Sequence, residues 1–152
     1  MRKKLLLVLA LLLMTLAARG QYFTGFSVES YRITSAWPTS LRSVRGNVQA
    51  VIGNTGQTRR LSDVEAIVYR NGRRFVVGTG EDTTFMKGRG TYVLKGRATL
   101  ADGVSTWDAI RAAFNFNANE YTIDFNVTIT YPDGHRDYVT RRGIPLVHYL
   151  RR

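Results

Sequence analysis

Tyr121-Thr122-Ile123-Asp124-Phe125-Asn126-Val127-Thr128-Ile129-Thr130-Tyr131 decides the fold class of this 152-residue chain. Every odd position is aromatic or branched aliphatic, and every even position is Thr, Asp or Asn. Side chains alternate across a β-strand, so a period of two predicts one buried face and one wet face. Pro132-Asp133-Gly134 follows. Proline presets the first turn angle and glycine accepts a positive φ, which predicts a reversal. A partner strand resumes near Arg136 and runs through Tyr138 and Val139 toward Ile144. The two segments read as a hairpin.

The same grammar recurs upstream. Val64, Ala66 and Val68 alternate with Glu65, Ile67 and Tyr69, and Asn71-Gly72 is the strongest short hairpin signal before the return Phe75-Val76-Val77. Val44 to Ile52 predicts another strand, ending at Gly53-Asn54-Thr55-Gly56. Phe26-Ser27-Val28 and Tyr31-Arg32-Ile33 suggest a first strand, stopped by Trp37-Pro38. Gly80 to Gly90 reads as polar loop. Tyr92, Leu94, Ala98 and Leu100 line the inner face of a strand whose outer face carries Lys95, Arg97 and Thr99.

One helix is expected after Ala101-Asp102-Gly103. Ser105 or Thr106 can cap its first amides, and Asp108 complements its dipole. Trp107, Ile110 and Phe114 form one apolar stripe, expected to pack the helix onto the sheet. The helix ends by Phe114, and the Asn-rich loop 115–119 leads back. About seven strands, hairpin turns and one short crossover helix predict an all-β, immunoglobulin-like or fibronectin-like antiparallel β-sandwich. An outer-membrane barrel also alternates, but Arg and Asp on the wet faces and uneven strand lengths argue against it. No repeat or linker divides residues 21–152, so they form one domain.

Residues 1–20 carry a different message. Met1-Arg2-Lys3-Lys4 is a basic head, Leu5 to Leu16 is apolar except for Thr15, and Ala18-Arg19-Gly20 offers small residues for cleavage. This is the layout of a secretory signal peptide, with Gln21 as the expected start of the mature chain. The apolar run is short of the roughly 20 residues that span a bilayer. The expected location is therefore periplasmic, cell-surface or extracellular, with no transmembrane segment in the mature chain. Residues 1–20 hold four of the 22 basic residues and none of the 11 acidic ones, so the remainder carries 18 against 11, net +7. Sixteen of those 18 are arginines. There is no cysteine. That excludes disulfides, a thiolate nucleophile, Cys-ligated zinc and a lipid-modified cysteine, and it fits a bacterial envelope protein better than a small animal secreted domain.

Residues 48–100 show a longer order of features. Val48-Gln49-Ala50-Val51-Ile52 reaches an Asn turn, Leu61-Ser62-Asp63-Val64-Glu65-Ala66 opens a strand closing on Tyr69-Arg70-Asn71-Gly72, and Val76-Val77-Gly78-Thr79-Gly80 precedes Tyr92 to Leu100. This order resembles the late embryogenesis abundant proteins of the WHy type (water stress and hypersensitive response). The family usually has Pro where Thr55 stands after Asn54. The resemblance implies a sandwich of seven strands and a non-enzymatic role in stress protection or envelope association, and it transfers no catalytic residue.

Chemistry-bearing residues are sparse. His135 and His148 lack metal-ligand spacing, and Glu81-Asp82 is the only adjacent carboxylate pair, too few oxygens for a calcium loop. No nucleophile elbow, phosphate loop or dinucleotide fingerprint occurs. No enzyme, metal or cofactor is expected. The arginine doublets Arg59-Arg60, Arg73-Arg74 and Arg141-Arg142, with Arg151-Arg152 in the tail, are the best binding signal. Brought to one rim, they would attract polyanions. Edge arginines also serve simply to keep sheets from aggregating. Outside a cytoplasm the partners would be an envelope protein, an acidic glycan or anionic lipid rather than nucleic acid. Trp37, beside Pro38 in an expected loop, could stack on a sugar, whereas Trp107 is assigned to helix packing.

Overall fold

Alternating segments become strands in the computed structural model, which describes residues 28–53 and 56–147. In chain order these are β1 (Val28–Pro38), β2 (Ser43–Ile52), β3 (Arg59–Arg70), β4 (Arg73–Gly80), β5 (Thr83–Phe85) and β6 (Gly90–Leu100). The helix α1 (Thr106–Phe114) and a 3-10 turn (Ala118–Glu120) lead to β7 (Tyr121–Thr130) and β8 (Arg136–Pro145). These eight strands, those of the described residues, join one antiparallel sheet in the order β1-β2-β6-β4-β3-β7-β8, with β5 beside β3. The sheet curls into a half-barrel. Residues 1–20, the expected start at Gln21, Phe26-Ser27, Asn54-Thr55, His148 and Arg151-Arg152 lie outside the described residues.

Both expected hairpins form. At the β3–β4 tip, Asn71 and Gly72 have φ of 50° and 81°, the pair of left-handed residues whose twist matches the flanking strands. At the β7–β8 tip, the Gly134 N–H donates to Tyr131 O at 2.9 Å, with Gly134 at φ 87°.

The curl centres on β3. Its start, Arg59–Leu61, pairs with β5, and Val64–Arg70 pairs with β4. Between them the register against β7 slips from Ser62 to Glu65, with Asp63 at φ 52°. A bulge bends a strand and changes which residues face inward. Leu61 and Val64, three apart, therefore both pack on the core, which strict alternation forbids.

One row of the inner face runs Val44, Ala98, Gly78, Ala66, Phe125 across five strands. Small residues in its middle leave room for larger ones beside it: Val68, Val76, Leu100 and Ile123 are all at most 3 % exposed. Fully burying each such side chain is worth about 1.5–3 kcal/mol.

Three local expectations are corrected. The segment Gly80 to Gly90 is not all polar loop: Phe85 on β5 is 2 % exposed, in a second cluster with Ala50 and Ile52, and meets Tyr92 edge-on at 4.8 Å. A lone Phe among Thr and Asp gives no period to read. β1 does not stop before Trp37-Pro38, because Trp37 pairs with Arg45 and Pro38 with Val44. Proline is tolerated at the end of an edge strand, where no neighbour needs its N–H.

The third correction concerns α1. Its start is as expected: Asp108 N–H donates to Ser105 Oγ, and Ser105 N–H donates to Asp108 Oδ2, both at 3.0 Å. Hydrogen bonding from the Ser105 backbone N–H, and then from its side chain, holds the Asp108 carboxyl below its ordinary pKa. The packing face is inverted. Ala109 and Ala112 are 3 % and 1 % exposed within the main core, while Trp107 is 61 % and Phe114 52 % exposed. At 3.6 residues per turn, 107 and 114 lie opposite 109 and 112. Alanines permit the close approach of helix to sheet that an indole would block.

Candidate functional site

The outer faces of β1, β2, β6 and the end of β4 build a groove that sequence reasoning did not assemble. Trp37, Arg45, Arg97 and Thr79 form one cross-strand row. Ser35, Asn47 and Lys95 form the next, and Glu81 joins it through its N–H to Lys95 O at 2.9 Å. All these positions are odd-numbered, while the core-facing residues of β2 and β6 are even. The backbone of Gly46, Gly80 and Gly96 floors the space between them, which measures about 330 Å³. That is the lower end of small-ligand pockets, about 300–1,000 Å³.

The electrostatics are unbalanced. Directly opposed residues on one face have Cβ atoms about 4.5–5.5 Å apart, and like charges so placed destabilise a sheet. Arg45 faces Arg97, with Lys95 one diagonal away. None of these three side chains makes a salt bridge or hydrogen bond among the described residues. Several cations elsewhere are matched: Arg60 with Asp82 at 2.7 Å, Arg70 with Glu120 at 3.0 Å, Arg89 with Glu29 at 2.7 Å. Trp37, 42 % exposed, stands at the β1 wall of the groove. Asn47 is oriented by donating its amide to Ser35 Oγ at 3.0 Å, which leaves its carbonyl oxygen as an acceptor.

The arginine doublets do not meet at one rim. Arg59-Arg60 opens β3 and Arg73-Arg74 opens β4 at the far end, nine residues on by the β3–β7 register, about 30 Å away at strand rise. Arg141-Arg142 sits on the outermost strand, both exposed. Arg60 is held by Asp82, and the Arg59 guanidinium lies over the Tyr131 ring at 5.6 Å. Arg73 and Arg74 are exposed.

The other singled-out residues have local roles. His135 stacks on Tyr131 and its Nε2 lies 3.1 Å from Asp137 Oδ1; the Tyr131 hydroxyl donates to Asp137 Oδ2 at 3.0 Å. Burial, then that hydrogen bond, raises the Tyr131 pKa. Of the carboxylate pair, Asp82 accepts from Arg60 and Glu81 borders the groove. Among the described residues, no group of three or more His, Cys, Asp or Glu side chains could hold a metal ion, and no helix is long and apolar enough to cross a membrane.

The signal for the groove was present only in part. Lys95 and Arg97 are visible as an outer face, but β2 and β6 lie about forty residues apart in sequence. Their register, which brings Arg45 and Trp37 alongside, is a product of the fold. No family model matches the chain, and no curated protein matches it. Among solved structures the chain is similar to a protein from Archaeoglobus fulgidus, at 12 % identity and a TM-score of 0.44, covering 77 % of this chain and 94 % of that one.

Proposed function

We propose that this chain is an exported, non-catalytic binding protein of the bacterial envelope whose outer-face groove takes an anionic glycan. The observation that carries the reading is the opposed pair Arg45 and Arg97, with Lys95, left without a carboxylate partner beside a half-exposed indole. Guanidinium groups suit the planar carboxylate, sulfate or phosphate of an acidic sugar. The indole offers an apolar face to a sugar ring, and Asn47 and Thr79 offer hydrogen bonds to hydroxyls. Export rests on the basic head and apolar run of residues 1–20. The finer fold reading, an immunoglobulin-like or fibronectin-like sandwich of the WHy type, rests on the order of sequence features along residues 48–100, and it implies a likewise non-enzymatic role in stress protection or envelope association.

Calorimetric titration with oligogalacturonate, dextran sulfate and neutral dextran tests this. One of the two anionic oligomers should bind and neutral dextran should not. Arg97→Gln and Trp37→Ala should each weaken binding about tenfold, the cost of a lost charged hydrogen bond or stacking surface. Arg141→Gln with Arg142→Gln should leave it within about twofold, since both lie on β8, at the opposite edge of the sheet from the groove. Binding that follows the doublet instead of the groove would return the site to the arginine doublets. Binding of neither anion would favour a protective or scaffolding role.

A further inference from the structure

Apolar side chains meet solvent at the end of the half-barrel that carries α1. Leu41 is 68 % exposed, Trp107 61 % and Phe116 42 %. Local contacts fix each of them at this end. Thr106 Oγ1 donates to Leu41 O at 3.3 Å, which sets the β1–β2 loop against the start of α1. Trp107 and Phe114 lie seven residues apart on one helix stripe. Phe116 stacks on Tyr121 with ring centres 5.3 Å apart.

The surroundings of this surface are basic. Arg111, with 74 % of its side chain exposed, shares the outer side of α1 and lies 3.9 Å from Asp108 Oδ1. Arg73 and Arg74 leave the β3–β4 tip, which the Asn71 N–H ties to this end by donating to Glu120 O at 2.8 Å. Glu120 is taken up by Arg70, and Asp108 by the Ser105 cap and the outer edge of Arg111, so Asp102 is the remaining exposed carboxylate in the β6–α1 turn. An exposed indole and leucine beside exposed arginines, of which Arg73 and Arg74 make no salt bridge among the described residues, is the composition of an interfacial surface. Trp prefers the headgroup level, and each nearby Arg is attracted to anionic lipid.

The geometry points to this end as a docking surface for an anionic lipid bilayer. Leu41 and Trp107 enter the headgroup layer, and Arg73, Arg74 and Arg111 meet lipid phosphates. At nine residues α1 is about 13 Å long, so it lies in the interface and does not cross. The surface is separate from the outer-face groove, and its failure would leave the glycan reading standing.

Trp37 and Trp107 are the two tryptophans of the chain, so Trp37→Phe makes Trp107 the sole indole reporter. Vesicles of phosphatidylglycerol and phosphatidylcholine should shift its emission to the blue, and brominated lipid should quench it. Pure phosphatidylcholine should do neither. Reversing Arg73, Arg74 and Arg111 to Glu should weaken the response at least about tenfold, as should raising salt from about 0.05 M to about 0.5 M. Vesicle binding with Trp107 unquenched would overturn the proposal and assign the affinity to another part of the chain. A blue shift without lipid, accompanied by a doubling of mass, would overturn it in favour of self-association. No change in emission with anionic vesicles would also overturn it.

Discussion

The two faces of β2 and β6 are made by the same backbone register and are built to opposite ends. On the inner face, Val44 opposes Ala98 and Val48 opposes Leu94, and the first pair is 1 % exposed on both sides. On the outer face, one residue along, Arg45 opposes Arg97 and Asn47 opposes Lys95. The inner pairs stabilise the sheet by leaving water. The outer cations Arg45 and Arg97 repel one another, and Glu81 at the groove border forms no salt bridge with them. The half-barrel therefore keeps its stability on one side of these strands and tolerates a local cost on the other, as binding surfaces commonly do. The helix repeats the division, with Ala109 and Ala112 inward and Trp107 outward.

Breaking the inner face should have the largest effect. Leu100→Ala removes a side chain that is 3 % exposed opposite Val76, and a cavity of this kind costs about 2–5 kcal/mol. Urea unfolding should show that loss, while the fraction still folded binds anionic glycan as before. A variant that lost affinity while fully folded would mean the two faces are coupled, and the contrast would fail.

The cap of α1 comes next. Ser105→Ala should cost about 0.5–2 kcal/mol. The pH dependence has a definite sign. The Asp108 carboxyl titrates lower in the folded chain than unfolded, so its contribution is complete above the ordinary aspartate value of about 4 and fades as pH falls through the lower folded value. Wild type and Asp108→Asn should differ in stability at neutral pH and converge in acid. A difference that persisted unchanged into strong acid would remove the capping account.

Legibility in the sequence followed the range of the interaction. The hairpins at Asn71-Gly72 and Pro132-Asp133-Gly134, the Ser105 cap and the inward residues of β2, β6 and β7 are local, and propensity and period suffice for them. Trp107 and Phe114 face away from the sheet; amphipathicity tells which residues share a face and not which face meets the sheet. Phe85 was missed because β5 is three residues long and formed only by pairing with the start of β3. The groove was half visible. Charge on β6 could be seen, but the pairing of β6 with β2 and of β2 with β1 decides whether Arg97 stands beside an acid, another arginine or an indole. The doublets drew attention because adjacency in sequence is easy to see, yet neighbours in a strand point to opposite faces, as Arg59 over Tyr131 and Arg60 on Asp82 show.

The smallest effects separate matched from unmatched cations most cleanly, because they differ in sign. Arg60 and Asp82 form an exposed pair at 2.7 Å. A double-mutant cycle with Arg60→Gln and Asp82→Asn should give a coupling of about 0.2–1 kcal/mol in favour of the pair, declining with salt. Arg45 and Arg97 should give a coupling of similar size and opposite sign. Arg97→Gln should thus raise the unfolding midpoint slightly while it weakens glycan binding, whereas Arg60→Gln should lower the midpoint and leave binding unchanged. Both effects are electrostatic and solvent-exposed, so both should shrink together as salt approaches about 1 M, where the screening length falls to about 3 Å. If Arg97→Gln destabilised the chain instead, the opposed arginines would be holding the sheet in some other way, and the groove would lose the feature that marks it as a binding site.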